Sequence, residues 1–425
     1  MRWTKRLVEA ASDALGRTLD FEHPADAVLS QYFRENPNLG HSERGAVAEA
    51  VYGVIRRLRT LQSACEGKGG RRELLLAWLI CVNGLNLREF SAVLDQGEAE
   101  WLGGVRSRFS RDKKEGAADV PPAVALDLPD WLYEQFVAQY GAEETKRLAD
   151  GLNRPAPLDL RVNTLKATRD AVLPRLLEAG IVAQPGPLSP MAIRVEGKPA
   201  LSKLKLFQEG SIEVQDEGSQ LLGLLLAPKR GEMVVDFCAG AGGKTLLLGA
   251  LMRSTGRLYA FDVAEKRLAN LKPRLARSGL SNVHPARIEH ERDVKVKRLA
   301  GKIDRVLVDA PCSGLGTLRR NPDLKFRQTP ESVARLLETQ RSILDAAATL
   351  LKPGGRLVYA TCSLLADEND AVIDAFLASH EGFVEADAQA LLAAQDITVD
   401  CGKRLRLMPH RHGTDGFFAA VLERK

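Results

Sequence analysis

The 425-residue chain is short of the residues that mark a metal centre, a membrane span or a broad stacking platform. Its six cysteines, at 65, 81, 238, 312, 362 and 401, contain no C-x-x-C pair, and no histidine lies at ligand spacing from any of them. A structural zinc site is thereby excluded, and no metal is expected. Aromatic residues make up only 5% of the chain, too few for a surface that stacks many bases. No apolar run approaches the ~20 residues of a membrane span and no signal-like segment opens the sequence, so a cytoplasmic protein with reduced thiols and no membrane partner is expected. Coiled-coil heptads and long apolar stripes are missing too, which makes a monomer the expectation. The formal net charge of +5 permits a nucleic-acid partner without requiring one.

What is present centres on Val234 to Thr245, where an apolar run ends in Asp236, breaks into small residues and opens a helix-compatible stretch. Strand, tight loop and helix N-terminus is the layout with which open α/β sheets bind nucleotide-like ligands. The dinucleotide fingerprint fails because Thr245 stands where its third glycine belongs, and the Walker loop fails because Cys238 stands five places before Gly243. What remains is a loop that a ligand can approach closely, with Lys244 at its edge and Asp262 about 20 residues on, placed to accept from a ribose. A ribose without a pyrophosphate points to S-adenosylmethionine. A dinucleotide and a purely structural glycine turn stay open at this level.

Residues 1–125 read as an all-helical domain, with Val47, Val51, Val54, Ile55, Leu58 and Leu61 at helical spacing and an apolar helix over 73–87. Arg56, Arg57 and Arg59, followed by Lys68, Arg71 and Arg72, form a basic cluster that serves either as a solvated face or as phosphate contacts. The stretch 106–122 reads as a linker. Residues 126–225 read as a small α+β domain, with a helix over 130–140, a strand ending at Val162, a helix over 171–179 and a strand at 193–195. Residues 226–425 alternate strands (257–262, 283–288, 305–309, 356–361, 416–422) with helices (264–277, 331–351, 368–379) and a turn at 352–355, the pattern of a doubly wound α/β sheet. Ligands then belong at the carboxyl ends of its strands.

Two cysteines fall at such ends, Cys312 in Asp309-Ala-Pro-Cys-Ser-Gly314 and Cys362 in Thr361-Cys-Ser363. A lone cysteine is usually a small buried hydrophobe, the reading given to Cys65, Cys81 and Cys401. A pair beside a methyl donor suits methylation of a pyrimidine at C5. That carbon becomes nucleophilic only after a thiolate adds to C6, and a base must later take the C5 proton so that the thiol can leave. Asp309 is either the acid near N3 or a cofactor ligand, and residue types alone do not say which cysteine attacks.

Asp236-Phe-Cys-Ala-Gly-Ala-Gly-Gly-Lys-Thr245, Asp309-Ala-Pro-Cys-Ser-Gly314 and Thr361-Cys-Ser363 resemble the signature motifs of the Sun/Fmu (RsmB) family of RNA cytosine-5 methyltransferases. Arg161-Val-Asn-Thr-Leu-Lys166, Val214-Gln-Asp-Glu217 and Asp415-Gly-Phe-Phe418 resemble further family stretches, and the N-terminal region resembles the NusB-like RNA-binding domain of the bacterial 16S rRNA members. The resemblance implies a Rossmann-like methyltransferase domain, preceded by the NusB-like and α+β domains, that uses S-adenosylmethionine on RNA, with 16S rRNA or an assembling small subunit as partner. It implies Cys362 as nucleophile and Cys312 as the thiol for product release. It implies a cofactor loop of Cys238, Ala239, Gly240, Ala241, Gly242, Gly243 and Lys244, with Asp262 on the ribose, Asp309 between cofactor and base, and Lys244 near the cytosine. One departure stands out: the family's aspartate after the third strand has Glu289 as its nearest counterpart. Competing readings are action on tRNA or another RNA, methylation of an exocyclic amine or a protein side chain, and a non-catalytic ribosome-assembly protein that binds RNA.

Overall fold

The computed structural model describes residues 2–67, 69–114 and 120–425. Its contacts divide into one unit of Met1–Pro155 with Thr317–Pro330, and a second of Ala156–Gly316 with Glu331–Lys425.

The first unit is helical. Helices Lys5–Gly16, His41–Arg56, Leu58–Ala64, Arg71–Cys81 and Glu98–Lys114 close around Leu7, Leu15, Val51, Ile55, Leu61 and Leu75. The apolar helix stops at Cys81, short of the expected 87, because Val82-Asn83-Gly84 follows and Gly84 takes φ +78°, a left-handed setting that ends helices. Much of the expected linker is helical instead: 106–114 continue the Glu98–Lys114 helix, and 115–119 lie outside the described residues. Helices Asp130–Tyr140 and Ala142–Leu152, which the sequence groups with the α+β region, cluster here. Residues 317–330, inside the stretch expected to be wholly methyltransferase, cluster here as well: Phe326 stacks on Phe21 at 4.9 Å and Asp323 accepts from Ala25 N at 3.2 Å.

The second unit holds two sheets. Strands β1 (Leu158–Val162), β2 (Ala183–Pro185), β3 (Ala192–Val195) and β4 (Ile212–Val214) form an antiparallel sheet in the order β2-β3-β1-β4. Helix Glu217–Leu226 follows, capped by the Asp216 side chain on Gly218 N and buried along its whole length. The larger sheet comprises β5 (Met233–Asp236), β6 (Arg257–Asp262), β7 (Val283–Arg287), β8 (Ile303–Asp309), β9 (Leu351–Thr361), β10 (Phe383–Ala386), β11 (Leu405–Leu407) and β12 (Phe417–Arg424). Its order is β10-β12-β9-β8-β5-β6-β7, with β11 beside β12. Strands β5 to β9 pair in parallel and β12 runs antiparallel to β9. Val234 and Val235 on central β5 enter the cores on opposite faces, which is why this strand reads as a continuous apolar run.

Residues 352–355 are not a turn ahead of a separate strand. Ladder pairs jump from Ile303↔Leu351 to Arg305↔Arg356, so the Pro-Gly-Gly run is an irregularity within β9. Helix Asp370–Ser379 begins two residues later than 368.

Candidate active site

Parallel pairing brings the two cysteine motifs together. Asp309 is opposite Ala360 in the β8–β9 ladder, Cys312 lies three residues beyond the first and Cys362 two beyond the second. Their Sγ atoms are 3.4 Å apart. The Cys312 thiol is pushed well above its ordinary value, first by its hydrogen bond to Cys362 and then by burial. Beside them Lys244 Nζ donates to Asp309 Oδ2 at 2.6 Å and lies 5.9 Å from the centroid of the Phe417 ring. Burial alone would lower the Lys244 pKa, but the charges of Asp309 and Cys362 overcome it and raise it, so the ammonium persists next to the thiols.

A buried carboxylate that the sequence reading placed merely at the start of a helix ties the cysteine loops together. Glu368, fully inaccessible to solvent, accepts from Ser313 N at 2.8 Å and Gln340 Nε2 at 2.9 Å, and from the hydroxyls of Ser313 and Ser363. Each serine directly follows a cysteine. Asn369 adds a second tie, accepting from Thr361 Oγ1 at 2.6 Å and donating to Ser363 O at 3.1 Å. The only sequence signal was a polar pair, Glu368-Asn369, five residues after Ser363.

The glycine loop bridges β5 and helix Gly243–Leu251. Gly240 has φ +55° and open space where a Cβ would stand, and its N–H donates to Asp262 Oδ2 at 2.8 Å. Asp262 Oδ1 accepts from Ala264 N at 2.7 Å, so each carboxylate oxygen of this buried residue takes one backbone N–H and has a second lone pair. Ala239 is anchored through its N–H to Phe261 O at 2.8 Å and Ala241 through its carbonyl to Arg274 Nη1 at 2.7 Å. Cys238 is half-buried and its thiol is pushed well up by burial, which suits a lining residue and not a nucleophile. Asp236 is buried, accepts from Thr245 Oγ1 at 2.6 Å and is raised to about 7 by burial. Glu289 is exposed just beyond β7, its N–H bonded to Asp293 Oδ2 at 2.9 Å. It neighbours Asp262 through Ile288 N, which donates to Asp262 O at 3.1 Å. An open glycine cradle followed by a carboxylate with a second lone pair on each oxygen fits a ribose-bearing cofactor such as S-adenosylmethionine.

Behind the loop stands Arg161, 2% exposed, which donates to Gly243 O at 2.7 Å and to Gln215 Oε1. Asn163 Nδ2 reaches Gly210 O and Ser278 O, both at 2.9 Å, and Glu213 pairs with Arg274 at 3.0 Å and Arg277 at 2.7 Å. The Arg161–Lys166 and Val214–Glu217 stretches thus fasten the small sheet to the back of the loop.

The arginines of the helical unit's basic cluster are half-buried except for the exposed Arg71, and each has a partner. Arg57 pairs with Asp127, Arg59 with Asp130, Arg71 with Asp13 and Arg72 with Glu98, while Arg56 donates to Arg319 O. Lys68 lies outside the described residues. Among the described residues no helix is long and apolar enough to cross a membrane.

The chain is similar to known proteins along most of its length. The family described as 16S rRNA methyltransferase RsmB/F matches residues 223–423, and the ferredoxin-like domain of RsmF/B-like methyltransferases matches 128–202. The probable ribosomal RNA small subunit methyltransferase B of Synechocystis sp. is 34% identical over 94% of this chain and 95% of its own. The corresponding protein of Bacillus subtilis is 30% identical over 98% of each chain. The crystal structure of a methyltransferase homolog protein from Pyrococcus horikoshii superposes with a TM-score of 0.61 at 28% identity, covering 72% of this chain and 98% of its own. The chain belongs to the RsmB/F family of S-adenosylmethionine-dependent small-subunit ribosomal RNA methyltransferases.

Proposed function

We propose that this protein methylates C5 of a cytosine in 16S rRNA through a covalent adduct between Cys362 and C6. The observation that carries this reading is the pair of thiols 3.4 Å apart at the ends of β8 and β9, beside the Lys244–Asp309 pair. Backbone groups of residues 238–243 and the Asp262 carboxylate hold the cofactor, with Glu289 at the neighbouring strand end. When bound, S-adenosylmethionine supplies an electrophilic methyl group on a sulfonium.

Cys362 attacks C6 as a thiolate, and the electron pair of the C5–C6 bond moves toward N3. A proton held between Lys244 and Asp309 is placed to meet the charge growing on N3, and C5 becomes the nucleophilic end of an enamine. After methylation C5 carries both a hydrogen and a methyl group. Loss of that proton to a base assisted by Cys312 re-forms the C5–C6 double bond and expels the Cys362 thiolate. Two thiols in contact suit these two roles, and a methyltransferase acting on an exocyclic amine needs neither.

The test is nucleoside mass spectrometry on unmodified small-subunit rRNA incubated with isotopically labelled S-adenosylmethionine. Wild type is expected to yield labelled 5-methylcytidine. Cys362→Ala is expected to yield none, a loss of about 10⁴-fold or more, with cofactor affinity retained. Cys312→Ser should turn over about 10³-fold more slowly and accumulate RNA covalently attached to protein. Label in a different nucleoside, or turnover by Cys362→Ala, would overturn the assignment.

A further inference from the structure

The crossover from β8 to β9 carries the long helix Pro330–Ala348, but the crossover from β7 to β8 carries only the single turn Val294–Lys297. That turn sends Val296 into the core and leaves the sheet open over the starts of β6 and β7. A cavity of about 420 Å³ results, lined chiefly by Arg257, Tyr259, Phe261, His284, Lys295 and Arg298. Tyr259 and His284 are register partners on adjacent strands, their rings 5.7 Å apart and inclined by 37°. Tyr259 is half-buried and His284 exposed, so the pair offers ring surface to a ligand. Arg257, Lys295 and Arg298 surround the rings with exposed cations, and no carboxylate is among the lining residues. Lys295 is steadied by donating to Arg287 O at 2.7 Å.

We propose that this cavity is a subsite for single-stranded RNA flanking the target cytosine, taking a base on the Tyr259–His284 rings and its phosphates on Arg257, Lys295 and Arg298. Aromatic surface next to cations is the combination by which proteins hold unpaired nucleotides without reading sequence. The cavity runs along β6 from Arg257 to Phe261, so its Arg257 end lies five residues, or about 17 Å along the strand, from Asp262 at the cofactor edge. Across the sheet, β6 lies two strand intervals from the β8 strand of Asp309, about 10 Å. A few nucleotides span such distances. The proposal rests on RNA being the substrate.

The test compares the full chain with a Lys295→Glu/Arg298→Glu variant and, separately, with Tyr259→Leu, which keeps apolar bulk beside Phe261. The probes are an unmodified small-subunit rRNA fragment with single-stranded flanks and the same fragment trimmed close to the target. The double charge reversal should weaken binding of the flanked fragment roughly 10- to 100-fold and lower the slope of log Kd against log salt by about 1.4, the effect of two lost phosphate contacts. Tyr259→Leu should weaken it roughly tenfold with the slope unchanged. Neither variant should alter kcat or the KM for S-adenosylmethionine, and both should match wild type on the trimmed fragment. Variants that bind the flanked fragment like wild type, in a series where wild type methylates it, overturn the subsite alone. Wild type that neither binds nor methylates either fragment overturns the RNA reading and the subsite together. Binding of an acidic peptide that the charge reversal abolishes, with RNA binding untouched, would replace the subsite by a protein-docking face.

Discussion

Two buried ions hold the site from behind, and they are satisfied to different degrees. Glu368, beneath the cysteines, accepts from two serine hydroxyls, a backbone N–H and a glutamine amide. Arg161, beneath the glycine loop, donates from Nη1 to Gln215 and Gly243, and its buried Nε has no hydrogen-bond partner among the described residues. Burial pulls its guanidinium down to about 10, against the attraction of Glu213. A fully satisfied buried ion fixes its neighbours in one geometry, whereas a partly satisfied one leaves slack. The difference follows the chemistry. Under the proposed mechanism, thiols that exchange a proton need fixed separation, and a loop that admits and releases a cofactor tolerates give.

Breaking the tighter hub should cost most. Glu368→Ala leaves four buried donors without their acceptor and should destabilise the fold by about 3–5 kcal/mol while lowering turnover about 10²-fold, read by urea denaturation and methyl transfer. Glu368→Gln, which keeps the shape and one acceptor oxygen, should recover part of the activity and restore the wild-type KM for RNA. The looser hub should matter less. Arg161→Met removes the unpaired Nε together with two bonds, so about 1–2 kcal/mol of stability should be lost and the KM for S-adenosylmethionine should rise about fivefold at nearly constant kcat. An equal collapse of kcat in both variants would erase the distinction between the hubs.

The smallest effect on turnover is expected at Asp236, a third buried ionisable group, whose folded-state pKa of about 7 stands above the usual 3.8. The folded protein therefore binds a proton more tightly than the unfolded chain does. Stability from this group is fully present below the unfolded value and declines as pH rises from about 4 to 7, by at most about 1.4 kcal/mol per pH unit. Asp236→Asn should flatten that decline in denaturation curves taken at pH 5 and pH 8.

The alternation of strands and helices in 226–425 was legible because β5, β6 and β8 are apolar runs bounded by glycine, charge or proline. Strands β2, β4, β10 and β11 were not, since each has only three or four residues and carries a proline or a charged residue among them. The cysteine and glycine motifs could be picked out because their chemistry is local. Glu368 could not, because its partners at 313, 340 and 363 come from separate elements. The partners of the arginine cluster were hidden for the same reason: Arg57 finds Asp127 and Arg59 finds Asp130 about 70 residues away. Residues that make long-range pairs look in sequence like residues waiting for a ligand.

Gly240 and Gly242 sit two positions apart in one motif, both with a left-handed backbone, and differ in what a side chain would meet. At Gly240 a Cβ would meet nothing within 4 Å, whereas at Gly242, with φ +81°, it would lie 2.1 Å from Leu271 Cδ1. A side chain at Gly240 intrudes on the space left for a ligand; a side chain at Gly242 intrudes on the helix Glu265–Ser278. The second glycine would therefore persist in a descendant that had lost its cofactor, and a drift at Gly242 would have to be accompanied by a smaller residue at 271. In a lineage losing activity, Gly240 is the position where the loss would first be written.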